Sequence, residues 1–153
     1  MMVRRGFTLV EILIVVTILG VMAAIVVPQF SSAADESKRT ALVRNLQTVR
    51  KQIELYRHHH NGEIPAADGE AGADFERRMT TQTDIDGAVG GDFGPYLERL
   101  PANSFNSLDT VRVGGEMAGA NSHGWRFDPV TGEFQADDDF DGDDDGAADH
   151  VTL

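Results

Sequence analysis

Glu11 and a run of aspartates near the C-terminus are the residues whose type and setting could do chemistry. Glu11 is the one charged residue between Phe7 and Val27. A carboxylate placed in hydrocarbon costs about 2.5–3.5 kcal/mol on insertion scales, so it calls for a cationic partner and a function. No Lys or Arg follows it within the run. The partner therefore lies outside this segment, or is a positive charge made by processing. The second group is the eight aspartates between Asp137 and Asp149. Aspartates at alternate positions followed by glycine form the front half of a calcium-binding loop. Calcium takes six to eight hard oxygens at about 2.3–2.6 Å, and a tight turn at glycine lets alternating carboxylates converge on one point.

Two registers of that loop fit. One uses Asp137, Asp139 and Asp141 with Gly142. The other uses Asp141, Asp143 and Asp145 with Gly146, and adds Asp149 at the ninth place and the carbonyl of Ala147. Neither has the bidentate Glu expected at the twelfth place, where the second register has Thr152. There is no room for a helix after the loop, so a complete helix–loop–helix site is not expected. The competing reading is a solvated acidic tail, the usual state of a like-charge block.

The element that must position Glu11 is the apolar run itself. A helix from Phe7 to Val27 spans roughly 32 Å at about 1.5 Å per residue, close to the ~30 Å hydrocarbon core of a bilayer. Arg4 and Arg5 precede it. The positive-inside rule then leaves the short N-terminus in the cytoplasm and exports the rest. A cleaved signal peptide is one alternative, with Ser32-Ala33-Ala34 as its small-residue cleavage site and a mature protein starting at Asp35. Such apolar regions usually run about 7–15 residues, and this one is longer and carries an acid. A plain membrane anchor leaves Glu11 unexplained.

Gly6-Phe7-Thr8-Leu9-Val10-Glu11 resembles the N-terminal motif of type IV pilins and type II secretion pseudopilins: a short basic leader ending in Gly, then Phe, then Thr-Leu-Val/Ile-Glu and an apolar helix. The resemblance implies that a membrane-embedded prepilin peptidase cuts between Gly6 and Phe7 and methylates the new N-terminus at Phe7. It gives Glu11 its partner, the amine of Phe7 on a neighbouring subunit. In low dielectric such a pair is stronger than in water, and an unmatched charge is costly. Glu11 would then set register during assembly. Pro28 sits where many members have a helix proline.

Beyond the anchor, about 110 residues remain before the acidic tail, enough for one modest core. The chain has no cysteine, which excludes disulfide staples, cysteine metal sites and thiol catalysis. Its net charge is -12, which argues against nucleic-acid binding. From Ala33 to about His59, Leu42, Leu46, Val49, Ile53 and Tyr56 recur at helical spacing and mark a buried stripe. The segment Asn45–Tyr56 resembles the helix of major pseudopilins. Pro28 is expected to kink or loosen the helix without ending it. His58-His59-His60 falls at the helix end. Consecutive helical residues point about 100° apart, so the three are read as frayed, dipole-facing histidines and not as a metal site.

Asp74–Gln82 can form a short helix around Phe75 and Met79, and Thr83–Gly87 has turn chemistry. Asp84 and Asp86 in that turn are read as solvated, not catalytic. Gly94–Phe105 resembles the Pro-Tyr-Leu…Leu-Pro-x-Asn-Pro-Phe segment of type II pseudopilins, with Ser104 in place of the last proline. Asp109–Val113 is rich in strand formers. Strands over 123–127 and 132–135 flank the turn Asp128-Pro129-Val130-Thr131-Gly132. The stretch Gly124–Glu133 resembles the closing hairpin of the same pseudopilins. Trp125 and Phe127 share one strand face and are expected to pack on the helix stripe.

The expected fold is α+β: a long N-terminal helix, transmembrane in its first half, packed in its second half on a small C-terminal antiparallel sheet. The expected divisions are a leader (1–6), an assembly helix (7–30), an exported head (31–136) and an acidic tail (137–153). No nucleophile, base and orienter set appears, so a structural role is expected and not an enzyme. The resemblance implies a pseudopilus subunit in a bacterial inner membrane with a periplasmic head. Its partners would be copies of itself in a filament, the prepilin peptidase, the inner-membrane assembly platform and minor pseudopilins. It also implies calcium near the C-terminus, in role and not in ligand spacing, with Asp141, Asp143, Asp145 and Asp149 as ligands here. The alternatives are a type IV pilus or DNA-uptake pilin, and a secreted calcium-binding protein released by signal peptidase.

Overall fold

The computed structural model describes residues 7–141, 148, 150 and 153. The chain divides into two units between Ser37 and Lys38. Helix α1, Leu9–His59, contributes to both and runs through Pro28.

In the first unit, Leu9–Val26 has a mean hydropathy of 2.8 and none of it is buried. It is the one helix among the described residues long and apolar enough to cross a membrane. Exposed Leu9, Ile12, Leu13 and Val16 would be costly in water and are at home in hydrocarbon. Thr17 causes no polar deficit there, because its hydroxyl donates to the Leu13 carbonyl at 2.7 Å.

In the second unit, the helical stripe behaves as its spacing dictates. Leu42, Leu46, Val49, Ile53 and Tyr56 are all 2% exposed or less and share one core with α2 and the sheet. Helix α2, Gly72–Thr80, buries Phe75 and Met79. Gly72 is required where α2 meets the first strand: a Cβ there would fall 1.8 Å from the Val111 carbonyl oxygen. The strands are β1, Val111–Val113, β2, Trp125–Phe127, and β3, Phe134–Ala136, in the order β1-β2-β3. Trp125 and Phe127 are fully buried in the same core as the helix stripe. The Trp125 indole donates to the Pro101 carbonyl at 2.7 Å, which satisfies its polar edge.

The sheet is mixed, which corrects the expectation of an antiparallel one. β2 and β3 form the expected antiparallel hairpin, with Trp125 opposite Ala136 and Phe127 opposite Phe134. β1 runs parallel to β2, with Val111 opposite Trp125 and Val113 opposite Phe127. A parallel pair needs a crossover, and residues 114–124 supply it. Gly114 and Gly115 at φ 65° and 75° turn the chain out of β1. Arg112 then holds that connection by donating to the carbonyls of Gly114, Glu116 and Met117.

Candidate assembly site and acidic segment

At the start of α1, Thr8 and Glu11 satisfy each other's backbone. The Glu11 N–H donates to the Thr8 hydroxyl oxygen at 3.2 Å. Glu11 Oε2 accepts from the Thr8 backbone N–H at 3.3 Å and from the Thr8 hydroxyl at 3.2 Å. This is a capping box, in which an N-cap threonine and a glutamate three residues on satisfy two orphan donors at the helix end. The negative carboxylate also sits at the positive end of the helix dipole. Thr8 was a partner that the sequence reading did not single out, although the Thr-x-x-Glu spacing before an apolar run was the available signal. Within one chain, then, Glu11 is held by neutral donors of its own first turn. Its Oε1 is without a hydrogen bond among the described residues, so the carboxylate keeps an open acceptor for a cation from outside. Phe7, 75% exposed, stands next to this turn. Gly6 lies outside the described residues.

The head draws the first two aspartates of the acidic segment into its interior. Asp137 is fully buried. Its Oδ1 accepts from Arg112 Nη2 at 2.6 Å and from the backbone N–H groups of Gly119 and Ala120 at 3.2 and 3.3 Å. Its Oδ2 accepts from Arg112 Nε and from the Ser122 hydroxyl, both at 3.3 Å. Asp138, 1% exposed, accepts from Asn103 Nδ2 at 2.7 Å and meets His150 Nδ1 at 2.7 Å. The His150 ring is packed against Phe105 and Phe140 at centroid distances of 4.3 and 4.9 Å. Asp139 is exposed and Asp141 half-buried.

This arrangement weighs against the first of the two calcium registers. The first would begin at Asp137, whose oxygens are already taken by a guanidinium and three neutral donors. A cation there would displace Arg112 and leave a largely buried guanidinium without its counter-charge, at a cost of several kcal/mol. The second register does not use Asp137 or Asp138, and its donors are the carboxylate and carbonyl oxygens that a hard cation takes. Of its ligands, Asp141 is described, while Asp143, Asp145 and Asp149 lie outside the described residues. Among the described residues no three acidic or histidine side chains gather around one point.

The triple histidine departs from the reading of frayed ends. His60 is 1% exposed. Its ring stacks on Tyr56 at 3.8 Å, its Nδ1 meets the Tyr56 carbonyl at 2.8 Å, and its Nε2 meets the Thr83 hydroxyl at 3.0 Å. The reason is tertiary. Thr83 pairs with Phe93, and this brings the loop over the end of α1. His59 Nδ1 meets the Tyr96 hydroxyl at 3.0 Å, while His58 is exposed. Asp84 is occupied locally, accepting from the N–H groups of Asp86 and Ala88.

Two titrating groups near this loop are shifted. Burial pushes the Tyr56 hydroxyl up to about 12. The paired hydrogen bonds from Arg78, at 2.6 and 2.8 Å, hold Glu70 down at about 2. One groove between α1 and β3, of about 660 Å³, is lined by Arg50, Ile53, Glu54 and Glu133 among others.

Comparison with known proteins agrees with the N-terminal reading. The family described as "Prokaryotic N-terminal methylation motif" matches residues 1–27. The type II secretion system core protein G of Pseudomonas aeruginosa is 42% identical over 54 residues, covering 35% of this chain and 38% of that one. The core protein G of Dickeya chrysanthemi is 28% identical over 104 residues, covering 68% and 65%. The type IV major pilin protein PilA of Myxococcus xanthus is 44% identical over 46 residues, covering 30% and 21%. The chain thus spans between about two fifths and just under two thirds of the first two of these relatives. No solved structure matches. Residues 1–27 thus match the N-terminal methylation motif. Over part of its length the chain is similar to type II secretion system core proteins G.

Proposed function

We propose that this chain is the structural subunit of a type II secretion pseudopilus. Prepilin peptidase removes residues 1–6 and methylates Phe7. The helix anchors the subunit in the bacterial inner membrane with the head in the periplasm. Copies are then stacked through their N-terminal helices by the inner-membrane assembly platform, together with minor pseudopilins. The role is mechanical and not enzymatic.

One observation carries this reading: Glu11 is the only charge in the membrane-length span Leu9–Val26, and its partners among the described residues are neutral. In hydrocarbon an uncompensated carboxylate is expensive, and the capping box leaves one oxygen for a cation. The methylated amine of Phe7 on a neighbouring copy, still cationic, supplies it. The interaction is worth most where water is excluded, so it rewards correct register and penalises a slipped one. Calcium held by Asp141, Asp143, Asp145 and Asp149 would offset carboxylate repulsion and pin the C-terminal segment to the head.

A type IV pilus subunit is the second reading, supported by the Myxococcus pilin. That match covers 46 residues, whereas a core protein G of Aeromonas hydrophila is matched over 146, at 23% identity. The head therefore favours secretion. Replacing Glu11 with Ala in the full chain tests the central step. Leader removal should proceed while filaments are lost; filaments of normal yield from Glu11→Ala would sink the register role.

A further inference from the structure

A second pocket in the head, of about 390 Å³, lies where the end of α1 meets α2 and the loop 83–88. Its volume falls within the range of small-ligand sites. Two buried side chains line it, Tyr56 and His60. Both ring nitrogens of His60 are occupied, by the Tyr56 carbonyl and the Thr83 hydroxyl. Tyr56 differs. Its side chain is 2% exposed, yet its hydroxyl has no hydrogen-bond partner among the described residues.

The surroundings of that hydroxyl place it at the pocket. It lies against Gly87, where a Cβ would come within 2.6 Å of the oxygen. Burial is the largest cause of its raised ionisation; Arg78 opposes this, and Tyr96, Glu70 and Glu63 add to it. Arg78, Glu70 and Glu63 all line the pocket. His60 stacks on the Tyr56 ring at 3.8 Å, and Tyr96 meets it edge-on. A buried hydroxyl without a partner is costly, and native structures rarely keep one that nothing fills.

The charge around the pocket says what kind of group fills it. Arg78 is the one Lys or Arg in its lining. Its two Nη atoms donate to Glu70 at 2.6 and 2.8 Å, and Nη1 also donates to the Pro65 carbonyl. Arg78 and Glu70 therefore offset each other. Glu63 and Asp86 are exposed and form no ion pair among the described residues. The lining thus holds two uncompensated carboxylates, which disfavours an anion. Among the described residues no three acidic or histidine side chains gather around one point, so the donor set is not that of a metal centre. An ammonium suits it. It brings three N–H donors, for the Tyr56 hydroxyl oxygen and for the carboxylates. Ile64 and Ile85, also in the lining, offer apolar surface to a methylene stem.

We propose that this pocket binds the primary alkylammonium group of a small amine, with the Tyr56 hydroxyl oxygen as acceptor and Glu63 and Asp86 as counter-charges. The site uses no residue of the assembly reading, so it goes beyond that reading and stands or falls separately.

The test uses the full chain in a non-ionic detergent near neutral pH, with a carbon-13 label on the tyrosine ring carbon that bears the hydroxyl. The chain has two tyrosines, so two signals are expected, and Tyr56→Phe assigns them. Butylamine, butanol and butyrate share a four-carbon stem and differ in charge. Butylamine should move the Tyr56 signal along a saturating curve with its midpoint at about 1–10 mM, within the range open to so small a ligand. Butanol and butyrate at equal concentration should leave the signal in place. Glu63→Gln with Asp86→Asn should weaken butylamine binding about tenfold or more. Both positions are exposed, so the melting temperature should not fall. A shift that fails to saturate by about 100 mM butylamine, an equal shift with butanol, or unchanged binding in the double variant would overturn the proposal.

Discussion

Asp137, fully buried, and Arg112, largely buried, form a clasp across the β1–β2 crossover: Oδ1 accepts from Nη2 at 2.6 Å and, together with Oδ2, takes further donors from Gly119, Ala120 and Ser122. Asp137 follows directly on β3, while Arg112 is the middle residue of β1. One carboxylate thus ties both flanks of β2 and the loop that makes the sheet mixed.

Truncating that carboxylate should be severe. Asp137→Ala leaves a largely buried guanidinium without its counter-charge and two backbone donors without an acceptor, and it should destabilise the head by about 3–5 kcal/mol. Asp139→Ala, two residues on and exposed, should change stability by less than about 0.5 kcal/mol. Denaturant midpoints of the detergent-solubilised chain would compare the two. Equal, small effects would show that the clasp contributes little.

The pair of Glu70 and Arg78 sets an acid limb. The folded-state value of Glu70 is about 2, below the ordinary value. The folded state therefore binds this proton less readily than the unfolded chain. Its contribution is fully present above about pH 4.3, and it fades as the pH falls through that value towards 2. The side chains are 20% and 31% exposed, so solvent screening should keep the effect to about 1 kcal/mol or less. Glu70→Gln should flatten stability against pH over that window and leave its slope above pH 6 unchanged.

Tyr56 sets an alkaline limb of opposite sense. Burial against Tyr96 and His60 holds its proton to about 12. Between about pH 10 and 12 the unfolded chain loses that proton first, so stability falls as pH rises through the window. Tyr56→Phe should remove this part of the slope. Burial raises Tyr96 as well, so absorbance titration at the tyrosinate band should show both hydroxyls ionising late in the native chain, Tyr56 at about 12, and at ordinary values after unfolding.

Calcium should raise the melting temperature of the head. For a site of the ~10⁻⁴ M class typical of extracellular modules, about 10 mM calcium stabilises by about 2.7 kcal/mol. Asp143→Ala with Asp145→Ala should abolish the shift, and magnesium should not reproduce it. The absence of any shift at that concentration would remove calcium from the description.

The sequence was legible where a local period or a dense motif carried the information. The spacing of Leu42, Leu46, Val49, Ile53 and Tyr56 marked the buried face of α1, because a helix shows one face every three to four residues. Phe75 and Met79 marked α2, and Asp128–Gly132 marked the β2–β3 turn, for the same local reasons. Glu11 stood out because water-loving groups are rare in such runs.

What was not legible is long-range. Nothing local says that β1 pairs parallel with β2; that depends on Arg112 reaching Asp137. Asp137 and Asp138 look identical to the six aspartates after them, and only the positions of Arg112, Asn103 and His150 separate buried clasp from exposed acid. His60 was read as frayed because the loop carrying Thr83 and Phe93, more than twenty residues away, is what covers it.

The most direct measurement is mass spectrometry of the mature N-terminal peptide from separated membrane and soluble fractions. We predict a methylated terminus at Phe7, found in the membrane. A soluble protein beginning at Asp35 would contradict the whole reading, because Thr8 and Glu11 would then belong to a discarded leader.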